Sequence, residues 1–357
     1  MKALAITATL VVLFLSLGIA VLAVLPSPQP GEQSVIIDVI PEGQEGAPTG
    51  GDTAPGNDQR SELDTPDIPQ TETPGLTVTG GQSGDPKRYA LAPAPVEALV
   101  EQSEYGPLPK VGEDGETPAA AYAARAPSGP ASELPQVAIL MDGLGQADVI
   151  TQVLLRMPPQ VSIALGPYGK GLQDWVRQAR EKGHEVFLQI PLEPPDYPNN
   201  DPGPHTLLSN VNAAENEGRL HWLMSRFTGY VGVTNYLGAK FQATESAMRP
   251  LLTELKDRGL LYVSDGVAAG STGPQIANTI DLAYGSAIVQ IDDEQPPEAI
   301  ESALAKLEAA ARERGTAIGV AEAGPETVQQ ILRWASVLHQ KGIALVPVSA
   351  AISSAQS

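Results

Sequence analysis

A four-part unit recurs through the second half of this chain: amphipathic helix, basic residue, glycine, apolar run. Leu172, Trp175, Val176 and Ala179 fall at i, i+3, i+4 and i+7, and Lys182-Gly183 follows before Glu185-Val-Phe-Leu-Gln-Ile190. Met248, Leu251, Leu252 and Leu255 repeat the spacing ahead of Arg258-Gly259 and Leu260-Leu-Tyr-Val263. Ile300, Leu304 and Leu307 lead to Arg314-Gly315 and Thr316-Ala-Ile-Gly-Val320. Val328, Ile331, Leu332 and Ala335 lead to Lys341-Gly342 and Ile343-Ala-Leu-Val346. Glycine supplies the left-handed residue that ends a helix, and the base before it faces the negative end of the helix dipole. Helix and strand alternating this often predict a parallel β/α architecture. With Val137–Met141, Val161–Leu165, Tyr230–Thr234 and Ala287–Ile291 there are about eight strands, which is barrel size. The fold expected is an α/β, (β/α) barrel-like domain whose ring need not be fully closed. An open doubly wound sheet is the alternative.

The residues just after these apolar runs are polar or acidic. Asp142-Gly143 follows the first run, Gly166-Pro-Tyr168 the second, and Pro191-Leu-Glu193-Pro194 the third. Asn235, Ser264-Asp265, Asp292-Asp293 and Glu322 follow the next four. In a parallel barrel these positions converge on one rim. One acid after a strand is an ordinary helix cap or solvated turn; several at one rim predict a carboxylate-lined cleft.

Composition narrows what such a cleft can do. The chain carries 42 acidic against 22 basic residues, a formal charge of −20, which excludes nucleic-acid binding by phosphate neutralisation. There is no cysteine, hence no disulfide, thiolate nucleophile or Cys-ligated metal. The four histidines (His184, His205, His221, His339) show no H-x-x-x-H spacing. His184 opens a strand at the opposite rim, His205 and His221 fall in a long insertion, and His339 sits in the last turn of a helix.

Ala3 to Leu25 is almost wholly apolar behind Lys2, and about 20 such residues span a hydrocarbon core of about 30 Å. Residues 1–25 therefore predict a transmembrane anchor or a signal peptide. The length favours the anchor, although Ala20 and Ala23 offer the small residues of a cleavage site. Lys2 inside would place the rest outside, so a single-pass inner-membrane protein with a periplasmic domain is expected. Residues 26–91 are rich in Pro, Gly and acids with hardly an aromatic, the composition of a disordered linker. Residues 92–134 contain Val96, Leu99, Val100 and Tyr105-Gly-Pro-Leu-Pro-Lys110. They predict an arm of a short helix and turns packed on the domain, which spans 135–353.

At the strand ends the chain resembles the divergent polysaccharide deacetylases, relatives of the NodB-type metal-dependent carbohydrate deacetylases. Ile139-Leu-Met-Asp-Gly-Leu-Gly145 resembles the family run I-V-I-D-D-L-G. Leu188-Gln-Ile-Pro-Leu-Glu-Pro194 looks like H-L-P-M-E-P, and Gly232-Val-Thr-Asn-Tyr-Leu-Gly-Ala239 like G-V-N-N-H-M-G-S. Leu345-Val-Pro-Val-Ser349 matches the closing strand. The resemblance runs from about Pro95 to Ile352. It implies a hydrolase of N-acetylated glycans in which an aspartate and two histidines hold a divalent metal. That metal polarises the acetamide and activates a water. Here Gly143, Gln189 and Tyr236 stand where the second aspartate and the two histidines are expected, and Ala239 replaces a serine. Glycine offers no ligand, a glutamine amide is a poor one, and a phenol titrates near 10.

Two readings follow. In one, the barrel keeps a glycan-shaped cleft without metal-dependent catalysis and works as a tethered binder of envelope polysaccharide or peptidoglycan-type glycan, or of an envelope protein. In the other, it is a hydrolase of altered chemistry, with Asp142 as base and Glu193 or Asp265 assisting. Tyr168, Gln189, Asn235, Tyr236 and Asp292 are the expected substrate contacts. No His-ligated metal is expected, and a divalent cation held by Asp142, Glu193, Asp265 and Asp292 would be Ca²⁺, Mg²⁺ or Mn²⁺ rather than Zn²⁺.

Overall fold

The computed structural model describes residues 89–145, 148–291 and 296–356. The anchor expected over 1–25, all but the last residues of the expected linker, and Asp292 lie outside them. Among the described residues no helix is long and apolar enough to cross a membrane.

The chain enters through a hairpin, β1 (Val100–Ser103) and β2 (Gly106–Pro109), paired antiparallel, followed by a short helix, α1 (Pro118–Tyr122). A hairpin replaces the helix and turns expected there, with only a three-residue 3-10 turn at Glu97–Leu99 ahead of it. Pro107 and Pro109 conceal it in the sequence because proline lacks the N–H that a sheet interior needs; a two-stranded ribbon has only edges and tolerates both. Thr117 caps α1 by accepting from the Ala120 N–H.

The domain then alternates strand and helix: β3 (Gln136–Leu144), α2 (Asp148–Leu154), β4 (Ser162–Leu165), α3 (Leu172–Lys182), β5 (Val186–Leu192) and α4 (Ala213–Met224). Next come β6 (Gly232–Leu237), α5 (Ala239–Gln242), α6 (Glu245–Asp257), β7 (Leu261–Ser264) and α7 (Gly273–Ile280). The remainder is β8 (Tyr284–Ser286), β9 (Val289–Ile291), α8 (Pro297–Arg314), β10 (Thr316–Glu322), α9 (Pro325–Leu338), β11 (Ala344–Leu345) and α10 (Val348–Gln356). Helix ends follow the pattern in the sequence. Leu172, Trp175, Val176 and Ala179 form the buried stripe of α3, and Gly183 closes it at φ +96°.

The strands pair in parallel in the order β8-β7-β6-β5-β4-β3-β10-β9, with β11 also on β3. Each strand from β3 to β8 lies beside its successor, so the sheet curls in one sense rather than winding outward in two halves. The result is a curled β/α half-barrel, not the open doubly wound alternative. Its two edges are pieces of one segment. Ala287 donates its N–H to Ser264 O on the β7 side, and Ile288 donates to Ile318 O on the β10 side. The single run expected over Ala287–Ile291 therefore starts earlier, at Tyr284, and changes partner midway.

Two packed layers result. Val137, Ile139 and Met141 face the surrounding helices, whereas Ala138 and Leu140 face inward with Ala164, Phe187, Val263 and Val320. Strands buried on both faces read as continuous apolar runs, which is how they appear in the sequence. The amino-terminal end of the sheet is plugged by Ala350, Ala351 and Ile352 of α10 and by Leu99 and Tyr122 of the arm. There the fully buried Glu185 carboxylate accepts from Ser162 Oγ (2.7 Å) and from the N–H groups of Ser349 (2.9 Å) and Ala124 (3.1 Å). Arg180 ties the same region to the incoming chain, donating from Nε to Ala92 O (2.9 Å) and from Nη1 to Tyr122 O (2.8 Å). Burial lowers its pKa to about 10. The arm and α10 pack over that end, whereas the carboxyl ends of the strands line an open cleft.

Candidate functional site

A cleft of about 280 Å³ opens at the carboxyl ends of the strands. Its carboxylates come from β3 (Asp142), β10 (Glu322), the residue after β7 (Asp265) and the loop after β5 (Asp196). The pairing of β3 with β10 sets Asp142 opposite Glu322, and neighbours at one register of a parallel sheet point to the same face. The β3–β4 register breaks between Met141 and Leu144. Gly143 there has φ +75° and lets the strand bulge, and bulges of this kind re-aim side chains beside functional sites. A Cβ at Gly143 would meet only Glu322 Cγ, at 3.8 Å.

Amides line the rest of the floor. Gln189 donates from Nε2 to Asp142 Oδ2 at 3.1 Å. Asn235 is buried and turned to the backbone: its Nδ2 donates to Leu237 O (2.7 Å) and its Oδ1 accepts from the Asp265 N–H (3.0 Å). That residue fixes the bend after β6, where Leu237 is held at φ +56°, a left-handed conformation that costs a non-glycine residue about 1–2 kcal/mol. Gly238 follows at φ +95°, where a Cβ would fall 2.3 Å from Leu192 Cβ; only glycine lets α5 start so close to β5. Burial holds the Asp265 carboxyl above its ordinary pKa, against the Val267 N–H and the Asn235 and Gln242 amides, which pull it back.

The upper wall is apolar and open: Tyr236 is 48% exposed and Val267 55% exposed, and both line the cleft.

Of the residues expected to be catalytic, Asp142 and Asp265 line this cleft and Glu193 does not. The Glu193 carboxylate is 2% exposed. It accepts from Lys240 Nζ (2.6 Å) and from the N–H (2.6 Å) and Oγ (2.5 Å) of Ser209. Burial alone would raise its pKa, but these donors outweigh it and the net shift is downward. Glu193 thus ties the 194–211 loop to α5. Of the expected substrate contacts, Gln189, Asn235 and Tyr236 line the cleft. Tyr168 stands apart, its hydroxyl accepting from the His205 N–H (3.1 Å) and its ring near Trp222. Glu322, picked out in the sequence as a rim acid but given no role there, also lines the cleft, and so do Gln242 and Gln290, which are missing from the residues picked out by sequence. Glu322 had a signal, as an acid ending a strand. Gln242 and Gln290 had none, because neither residue type nor spacing marks them.

A larger hollow of about 510 Å³ lies between α4 and α6, lined by Leu220, Phe241, Leu251 and Arg249 among others. It holds none of the strand-end residues, and the cleft is the better candidate on chemistry.

The family model for divergent polysaccharide deacetylases matches residues 139–352. The chain belongs to the divergent polysaccharide deacetylase family. It is 43% identical to the Agrobacterium tumefaciens C58 protein ATU2773, whose crystal structure superposes with a TM-score of 0.66 over 69% of this chain and 99% of that one. It is 25% identical over 200 residues to Escherichia coli K12 YibQ, covering 54% of this chain and 60% of YibQ. A Haemophilus influenzae Rd protein is 21% identical over 193 residues, 54% of this chain and 68% of that protein. The chain thus spans about two thirds of the length of these curated relatives.

A divergent polysaccharide deacetylase invites a metal test, and the donors here do not fit one. At the positions where the family pattern implies ligands, the chain has Gly143, the Gln189 amide already donating to Asp142, and the phenol of Tyr236. Among the described residues no three His, Cys, Asp or Glu side chains gather as a metal site would require. The histidines lie elsewhere: His184 Nδ1 is 2.8 Å from Val161 O, His205 stacks on Trp222 at 3.5 Å, and His221 Nε2 is 2.7 Å from Glu254.

Proposed function

We propose that this protein is a glycan-binding member of its family that works without metal-dependent hydrolysis, tethered to the inner membrane by its N-terminal segment with the domain in the periplasm. The observation that carries the reading is the exposed Tyr236 ring beside a floor of amides and carboxylates. Sugars present alternating hydroxyls at their edges and a C–H face above and below the ring. Amides and carboxylates hydrogen-bond the former, and an exposed aromatic covers the latter. Membership of a family described by polysaccharide deacetylation makes envelope polysaccharide, including peptidoglycan-type glycan, the ligand class of choice. The tether is supported by the apolar run Ala3–Leu25 behind Lys2.

Gln189 gives the loss of metal chemistry a physical form. Its amide donates to Asp142 from a position where the family pattern has a cation ligand, so the carboxylate is oriented by a neutral donor. Three good ligands and a cation's field are what bring a bound water near neutral pKa, and the residues at these positions supply neither.

The test is a calorimetric titration of the full chain with N-acetylglucosamine oligomers. Tyr236→Ala, with its ring already half exposed, should leave the melting temperature unchanged and weaken binding about two- to tenfold, the range for one aromatic contact. Asp142→Ala should weaken it as well. Binding indifferent to both substitutions would reject this cleft as the site. Retention in the membrane pellet after carbonate washing checks the tether; a soluble mature form would show a cleaved signal peptide instead.

A further inference from the structure

Gln242 is the last residue of α5 and is wholly buried, yet it lines the cleft. Its Oε1 accepts from Ser264 Oγ at 2.9 Å. Its Nε2 has no partner at hydrogen-bond distance among the described residues, although the amide stands close enough to the Asp265 carboxyl to pull that pKa down. The reverse assignment of the amide would turn Oε1 away from the Ser264 hydroxyl and toward the Asp265 carboxylate, acceptor against acceptor, so the donor belongs on the cleft side. A buried donor left unmade costs about 1–3 kcal/mol. Beside this donor stands Asp265, an acceptor at the same end of the cleft. Nε2 itself is covered, so a hydroxyl reaches it from the cleft only as the Gln242 and Asp265 side chains part to admit it.

We infer that Gln242 and Asp265 form a subsite that reads one sugar hydroxyl, which accepts from Gln242 Nε2 and donates to an Asp265 carboxylate oxygen. This rests on the glycan-binding reading above and specifies it. A cation would face the Gln242 donor and an anion would face Asp265, so both are disfavoured. A hydroxyl donates and accepts at one oxygen and meets two side chains standing next to each other. A trans acetamide directs its N–H and C=O in opposite directions and cannot serve both from one point. The subsite therefore selects for a hydroxyl and is indifferent to the acetyl group.

The experiment titrates the full chain, and its Gln242→Met variant, with an N-acetylglucosamine oligomer and with a series of its monodeoxy analogues. The unaltered protein should bind one analogue about tenfold more weakly than the parent sugar, the worth of one buried hydrogen bond. Gln242→Met, which also removes the acceptor of Ser264 Oγ, should bind that analogue and the parent sugar equally whatever its melting point. A purely structural role for Gln242 would alter melting without altering selectivity. If glycan binding persists and Gln242→Met keeps the full discrimination, the subsite is wrong and the glycan reading stands. Discrimination tracking the acetyl group instead would also overturn it. If the unaltered protein binds no oligomer, both readings fall together.

Discussion

At the scale of single residues, two acids that look alike in sequence do opposite things. Asp142 and Glu193 both follow apolar strands, but only Asp142 lines the cleft. What separates them is the loop after β5, which returns Ser209 to Glu193 while α5 brings Lys240. No local pattern announces that convergence. Glu193→Ala should destabilise the fold by about 1.5–3 kcal/mol at neutral pH, the range for hydrogen bonds to a charged group. Because the Glu193 pKa is lowered on folding, its contribution is present above the ordinary carboxylate pKa and lost as pH falls through the lowered one. The gap between variant and parent, read by urea denaturation, should narrow in acid. Asp265 carries the opposite sign. Burial raises its pKa, so the parent protein loses stability as pH rises through that value. Asp265→Asn should therefore melt at or above the parent at pH 8, with the difference closing toward pH 4; a lower melting point at pH 8 would contradict the burial argument. Stability withheld at a cleft residue is what a binding role predicts.

At the scale of elements, the helices and most strands are legible because each amphipathic stripe and its closing glycine are local. The β/α repeat needs no long-range information. The hairpin β1–β2 is not legible, since its two prolines read as turns until the partner strand is known. Nor is β8, because Tyr284-Gly-Ser286 is too short to show a period and is a strand only by pairing with β7. The pairing of Glu322 with Asp142 is hidden for the same reason: β3 and β10 are far apart in the chain. The arm contributes Leu99, Leu108 and Tyr122 to the interior, all at 2% exposure or less, and the Tyr122 hydroxyl accepts from the Val96 N–H at 2.9 Å. Leu99→Ala should thus cost about 2–5 kcal/mol. Leu332→Ala, at a position 37% exposed on α9, should stay within about 0.5 kcal/mol. Thermal denaturation of the two side by side checks this. Equal effects would mean that the arm adds no core.

At the scale of the whole molecule, the fold is that of the divergent polysaccharide deacetylases, and the proposal of a binder rests on the donors at its cleft. The curled sheet delivers Asp142, Asp265 and Glu322 with the amides of Gln189, Asn235 and Gln290 to one rim, and α5 adds Gln242. What the family pattern implies at three further positions is replaced by a glycine, an amide and a phenol. The most direct measurement is a proton NMR titration of an N-acetylglucosamine oligomer with the full chain, first in EDTA and then with zinc, following the acetyl methyl resonance. Binding without hydrolysis predicts that this resonance broadens on adding protein in EDTA and that no free acetate appears in either condition. A free-acetate signal that grows with zinc and stops in EDTA would contradict it.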